Sequence, residues 1–436
     1  MRKLLFPMLF FSALPLFAED WEFEYDGDIR TRFAYENNWD LDYDTSDGAA
    51  AADIRVRFNL DVTTPIPLYL FYKLEWGNIS LDEDFRDEDN FLETIKLETR
   101  QLGAGYEFSI YDIKAGLIAT DSPSDTVINE DNFGFKINAD TDYAGIKSFY
   151  SMPNLVDAYF NFIESSDDLN QLFFISAESE DYLDSEFRLW TIFLDGNDSD
   201  SFTYNPCWLG FEFENENEYF ELKSRFIYNG GIVTLNSINY TIPISAFYTN
   251  MELSIEPFED TVIFTRYNLT SSFDSDTSSV NQFQVVDGEG SLDTGLGLLF
   301  GGSSYGSEAC FSNESVSLIE DNLSSGDIVM DAPGLFVYEF GVSQDFNFIP
   351  LSSDLIIGGA NTGGLFSGDG YFSSLLGLEI DLHNTIDILD DLSLNFSLCY
   401  LFPGNAFEDV FERNNDSIEV GWDTSFKTDF KLVYSY

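Results

Sequence analysis

From residue 21 to the last position, apolar and polar side chains take turns in runs of roughly ten residues. In 53–62 the set Ile54, Val56, Phe58, Leu60, Val62 alternates with Asp53, Arg55, Arg57, Asn59, Asp61. In 219–228 Phe220, Leu222, Phe226 and Tyr228 share one parity with Ser224, and Glu221, Lys223 and Arg225 take the other. In 392–402 Leu394, Phe396, Leu398, Tyr400 and Phe402 again fall together. The final segment puts Ile418, Val420, Trp422, Phe426, Phe430, Leu432, Tyr434 and Tyr436 on even numbers, with Glu419, Asp423, Lys427, Asp429 and Lys431 on odd ones. A period of two belongs to extended strands whose two faces meet different surroundings.

A soluble sandwich would alternate as well. What favours a closed antiparallel transmembrane β-barrel is the recurrence of ten-residue segments along nearly the whole chain and the crowding of aromatics on the apolar parity. A β chain in lipid must close on itself, because no water satisfies an open edge there. Export is the third argument. Residues 1–18, MRKLLFPMLFFSALPLFA, join the basic pair Arg2-Lys3 to an apolar run and a small residue, Ala18, ahead of Glu19-Asp20. That is the pattern of a cleaved signal peptide, and the run is short for a span. The expected organisation is therefore a signal segment, 1–18, and one barrel, 19–436, of about 16–18 strands with 18 favoured, in the cell outer membrane.

Composition narrows the partners. With 78 Asp+Glu against 20 Lys+Arg the formal net charge is −58, which excludes ordinary nucleic-acid binding. At 44% hydrophobic and 17% aromatic the chain is too apolar to be an unfolded acidic polymer. The acids concentrate in 36–52, 77–91 and 119–132, read as long loops at the outer mouth, while 63–67 (TTPIP) reads as a short turn. These runs solvate the mouth or weakly bridge divalent cations; they lack the glycine and terminal Glu of a dedicated calcium loop. Asn229-Gly230-Gly231, inside the longest uncharged stretch, reads as a turn between two strands.

The scarce cations behave differently. Arg30, Arg32, Arg55, Arg57, Lys73, Lys96, Arg100, Lys114, Arg188, Lys223 and Arg225 fall on the polar parity, as do Lys136, Lys427 and Lys431; Lys147 and Arg266 are ambiguous. In a closed barrel that parity faces the lumen, so the first eleven are the expected pore-lining residues. Pairs 30–57 and 32–55 have equal index sums, and one hairpin register would stack four guanidinium groups on a wall shared with Asp26, Asp28, Asp53 and Asp61. Such a wall is either a stiffening salt-bridge lattice or a solute-selecting ladder.

The last strand, with Phe430, Leu432, Tyr434 and the terminal Tyr436, resembles the assembly signal of bacterial outer-membrane barrels, and the resemblance implies the barrel-assembly machinery as a partner. Gly27-Asp28-Ile29-Arg30-Thr31-Arg32-Phe33-Ala34-Tyr35-Glu36-Asn37, then Arg55-Val56-Arg57-Phe58, and Tyr400-Leu401-Phe402-Pro403-Gly404-Asn405-Ala406-Phe407 resemble the alginate-export porin family. That resemblance implies an 18-stranded monomeric barrel whose lumenal Arg and Lys guide an anionic polyuronate outward. The acidic balance departs from a uniformly electropositive lumen.

The favoured function is an outer-membrane porin passing small hydrophilic solutes through a mixed-charge lumen. The alternative is export or uptake of an anionic polysaccharide along the Arg/Lys rows. A barrel plugged by its own loops is a further reading. An enzyme is disfavoured: hydrolytic barrels generally use a histidine base, and His383, with Glu379 and Asp381 on its parity at a strand end, is the one histidine. Cys207, Cys310 and Cys399 allow one Cys207–Cys310 staple, and no metal-ligand spacing or cofactor fingerprint is present, so neither metal nor cofactor is expected.

Overall fold

A computed structural model describes residues 21–37, 48–77, 96–123, 126–141, 144–152, 171–179, 185–195, 202–217, 219–235, 240–271, 296, 335–346, 349–362, 375–404 and 424–436. The alternating segments form 18 strands. They are β1 (Glu22–Asn37), β2 (Gly48–Thr63), β3 (Leu68–Gly77), β4 (Lys96–Phe108), β5 (Tyr111–Asp121) and β6 (Asn129–Asp140). Then come β7 (Ala144–Met152), β8 (Gln171–Ser179), β9 (Ser185–Asp195), β10 (Phe202–Glu216), β11 (Phe220–Leu235) and β12 (Tyr240–Phe258). The last six are β13 (Thr261–Thr270), β14 (Leu335–Phe346), β15 (Leu351–Thr362), β16 (Leu375–Leu389), β17 (Leu392–Pro403) and β18 (Ser425–Ser435).

Every strand pairs antiparallel with its neighbours in the chain, and β18 returns to β1, from Asp28↔Ser435 to Asn37↔Phe426. The backbone of Tyr436 exchanges two hydrogen bonds with Gly27, each 3.1 Å, which completes the seam. The sheet is a closed barrel, as expected. Exposed Phe33, Ile54, Trp76, Phe133, Leu189, Phe211, Phe340, Ile380 and Phe430 mark the apolar outer face.

Short connections, such as 64–67, 109–110, 259–260 and 390–391, share one end of the barrel with the start of β1 and the end of β18. At 64–67 the Thr64 hydroxyl donates to the carbonyls of Ile66 and Leu68 at 2.9 and 2.7 Å. Ser109 and Asp260 take positive φ, 56° and 65°, to turn the chain within two residues. The longer connections lie at the opposite end.

Several expectations are corrected. Asn229-Gly230-Gly231 lies within β11 and is not a turn; Gly231, at φ 124°, sits where a Cβ would come 2.2 Å from the Asn205 carbonyl oxygen. Strand β1 runs through Glu36 and β2 begins at Gly48, so the first acidic loop is shorter than 36–52. Likewise β5 reaches Asp121 and β6 begins at Asn129, so half of 119–132 is strand. The signal segment 1–18, most of 77–91, Ile418, Val420, Trp422 and Cys310 lie outside the described residues. Cys207 and Cys399 are free thiols.

The seam gives a first prediction. A Cβ on Gly27 would stand 2.2 Å from the Arg57 carbonyl oxygen and 2.6 Å from the Tyr436 hydroxyl, whereas one on Gly145 would meet only Asp140, at 3.3 Å. Gly27→Ala is expected to destabilise the barrel by about 1–3 kcal/mol through forced backbone and ring shifts. Gly145→Ala is expected to cost well under that, both read from urea midpoints in lipid vesicles.

Candidate functional site: the inward charged wall

The β1–β2 register opposes Arg30 to Arg55, Arg32 to Asp53 and Asp28 to Arg57. It lies two residues from the register that would pair 30 with 57 and 32 with 55, so the faces are as the alternation dictates but the stack of four guanidinium groups does not form. Acids interleave instead. Arg30 and Arg32 share Asp53 at 2.9 and 2.5 Å, Arg55 reaches Asp28 at 3.3 Å, and Arg57 donates to Glu75 at 2.6 Å.

The neighbouring strands extend this wall. Lys114 lies 3.8 Å from Asp112 and over the rings of Tyr69 and Phe71, at 5.5 and 5.9 Å from their centroids. Those rings fit because Gly105 and Gly103 face them across the ladder, where a Cβ would collide with either ring. The Tyr69 hydroxyl donates to Asp112 at 2.6 Å. Lys73 is exposed on the inward face, with no ion pair among the described residues. Lys96 opens β4 opposite Gly77, and its side chain lies outside the described residues. At Arg100 the register against β3 shifts, so parity does not fix its side; it pairs with Asp131 at 3.0 Å, and Gln101 donates to the same carboxylate at 2.8 Å. Asp131 was expected in an unopposed acidic loop, and it is a paired residue of β6.

A second group runs from β7 to β14. Lys147 and Arg188 both meet Glu178, at 3.4 and 2.8 Å; Arg188 and Arg225 both meet Glu212, at 2.9 and 3.3 Å. Glu178, Arg188, Glu212 and Arg225 are successive direct cross-strand partners, so sign alternates from strand to strand. Lys223 joins Glu221 and Glu214 at 2.6 and 3.6 Å, and Arg266 links Glu252 and Glu339 at 2.7 and 3.3 Å. These contacts put Lys147 and Arg266, ambiguous by sequence, among the inward cations.

Among the described residues, parts of two connections enter the barrel. Between β5 and β6, Thr126, Val127 and Ile128 are fully buried, and Ser122 holds the segment by accepting from the backbone N–H groups of Val127 and Ile128 at 3.0 and 3.2 Å. Its Thr126 hydroxyl accepts from Arg225, on β11, at 3.0 Å. Ile118, Phe149, Leu172, Phe174, Trp190 and Ile192 are buried on the inward side of β5 and β7–β9 and form an apolar bed on that wall. Leu296, in the connection after β13, also reaches inside, with its side chain 2.9 Å from where a Cβ on Gly358 would stand. The acids of 119–132 point to an external loop, whereas the apolar Val127-Ile128 pair within it marks the part that turns inward. Next to Arg225 lies a cavity of about 290 Å³ lined by Glu178, Glu186, Arg188, Glu212, Glu214, Lys223 and Asn250.

Phe430, Leu432, Tyr434 and Tyr436 form the outward face of β18 at the closing seam. His383 stands in the middle of β16, not at a strand end, beside Asp381 and opposite Ser397.

No family model matches the chain, and no curated protein sequence matches it. Solved structures do. The outer membrane protein OpdK of Pseudomonas aeruginosa is similar at 11% identity and a TM-score of 0.54, covering 95% of this chain and 99% of that one. OccAB2 of Acinetobacter baumannii is similar at 10% identity and a TM-score of 0.55, over 95% and 98% of the two chains. OccK11 (OpdR) of Pseudomonas aeruginosa gives 10% identity, a TM-score of 0.53 and coverage of 94% and 95%. The likeness shows the fold, that of an outer-membrane barrel.

The ladder predicts its own energetics. Replacing Arg188 by Gln leaves Glu178 and Glu212 flanking an uncharged residue. A double-mutant cycle of Arg188→Gln with Glu212→Gln is expected to give a favourable coupling of about 1 kcal/mol, modest because water reaches both groups. Urea unfolding in vesicles measures it, and a coupling near zero removes the ladder from the stability account.

Proposed function

We propose that this barrel is an outer-membrane channel through which small hydrophilic solutes diffuse, sorted by a mixed-charge lumen. The observation that carries the reading is the inward placement of Ser122 and of 126–128, tied to Arg225 across the lumen, because chain bonded there narrows a bore. Small solutes would pass between this segment and the charged wall, where fixed charges of both signs act at short range. The acidic connections of the outer end would concentrate cations at the mouth. Insertion would use the aromatic-ended β18, with Phe430 to Tyr436 read by the barrel-assembly machinery. Weak divalent binding at the mouth belongs to acidic segments that lie mostly outside the described residues.

The second reading, passage of an alginate-like anionic polysaccharide, draws on Arg30, Arg32, Arg55 and Arg57. Asp53, Asp28 and Glu75 already engage these four guanidinium groups, which leaves little of a continuous cationic track.

Planar-bilayer recording tests both. The purified protein is expected to give discrete conductance steps and a cation-preferring reversal potential in a salt gradient; no steps, or a strong anion preference, would overturn the proposal. Oligouronates and neutral oligosaccharides of equal length are expected to block alike, and selective block by oligouronates would transfer the assignment to the second reading. Thr126→Gly combined with Val127→Gly and Ile128→Gly is expected to raise single-channel conductance. An unchanged step would show that this segment does not narrow the path.

A further inference from the structure

We propose that Asp381, His383 and Cys399 bind a divalent metal ion of the zinc class on the inner wall of the barrel. Asp381 and His383 are two residues apart on β16 and so share a face, and Cys399 stands directly opposite Asp381 on β17. One donor atom from each, a carboxylate oxygen, an imidazole nitrogen and the thiol sulfur, lies within 4.8 Å of the other two. With metal–nitrogen and metal–oxygen distances of about 2.0–2.2 Å and metal–sulfur of about 2.3 Å, tetrahedral donors stand roughly 3.3–3.8 Å apart. On binding, the donors would close by about 1 Å through side-chain rotation.

The donor set selects the ion. Thiolate, imidazole and carboxylate together suit zinc and its borderline neighbours, whereas calcium and magnesium take oxygen donors. Three protein ligands leave a fourth position for water or a solute in the lumen. Binding converts the Cys399 thiol to thiolate and releases its proton to solvent.

A second observation supports the site independently. The Nδ1 atom of His383 is hydrogen-bonded with the Ser397 hydroxyl at 2.9 Å. Metal-bound imidazoles are held in this way through their other nitrogen, and the proposed site would take Nε2 as its ligand. The surrounding charge agrees. Glu379 and Asp381 are fully buried, Asp354 faces His383 from β15, and Lys427 faces Cys399 from β18. Three carboxylates against one ammonium favour a divalent cation. The only histidine of the chain is thus set beside one of its three cysteines. No linear spacing reveals the group, because its members come together across a β-ladder.

The experiment uses the full chain folded in detergent, stripped with chelator, in a Cys207→Ser/Cys310→Ser background that leaves Cys399 as the sole thiol. Cobalt(II) is expected to bind at one equivalent with a thiolate-to-cobalt charge-transfer band, and zinc(II) to displace it. Cys399→Ser should abolish the band, and Ser397→Ala should weaken binding by about ten- to a hundredfold while keeping the band at saturation. His383→Ala should weaken binding at least as much as Ser397→Ala. Heat-shifted electrophoretic migration checks that each variant is folded, and the unaltered chain, expected to show the same band, serves if the background variant does not fold. A folded protein with no band, or an affinity indifferent to both His383→Ala and Ser397→Ala, would overturn the site.

Discussion

A sheet surrounded by lipid has no water at its edges, and the rest of this molecule follows from that constraint. Closure falls to β1 and β18, whose ladder runs from Asp28↔Ser435 to Asn37↔Phe426 and ends in the paired backbones of Gly27 and Tyr436. Once the ring is shut, alternation acquires a meaning that it lacks in an open sheet. One parity must satisfy hydrocarbon, and the other encloses most of the charge that the strands carry.

Enclosing charge raises a second requirement, that like signs not be stacked. Two unit charges about 4 Å apart repel by about 1 kcal/mol even in bulk water, and by more beside a protein wall. The β1–β2 register answers this, because it opposes Arg32 to Asp53 and Arg57 to Asp28 and leaves one Arg–Arg opposition, Arg30 with Arg55. Those two are relieved by Asp53 and Asp28 on the diagonal. From β8 to β11 each of Arg188 and Glu212 has the opposite sign on both sides, while nearer the short-turn end Glu214 faces Glu186 and Glu216 faces Glu221. A slip of two residues in any of these ladders would keep every face correct and change which charges meet, so the hydrophobic pattern alone leaves register open.

This separates what the residues announce from what they withhold. The face of Arg30, Arg55, Arg188 or Lys223 is legible from its immediate neighbours, because strand geometry alternates strictly. Register is not, since it depends on energies between segments whose separation in sequence differs from hairpin to hairpin. Gly231 shows a second limit: Asn-Gly-Gly is turn chemistry, but here the positive φ serves a close approach to the β10 backbone within a strand. Segment 122–128 shows a third. Its acidic flanks look external, and only the burial of Val127 and Ile128 against the inner wall shows where it goes.

The acidic excess and the cationic rows, contradictory in composition, are reconciled by position along the axis. Near the short-turn end the inward parity carries Glu22, Glu24, Asp61 and Glu107, and a cavity of about 630 Å³ there is lined by Glu186, Glu214, Glu216, Glu221 and Glu256. Higher on the wall stand Arg30, Arg32, Arg55 and Arg57, with Lys73, Lys136 and Lys431 on the same parity and without ion pairs among the described residues. The connections of the far end are again acidic in sequence. In the proposed channel a solute would pass a negative rim, a waist of mixed sign and a second negative rim. A long polyanion would have to thread both rims at once, at a cost that grows with its charge. A short solute meets one zone at a time, because charges more than a Debye length of about 8 Å away are largely screened at physiological salt, and the arrangement therefore favours small molecules over polymers.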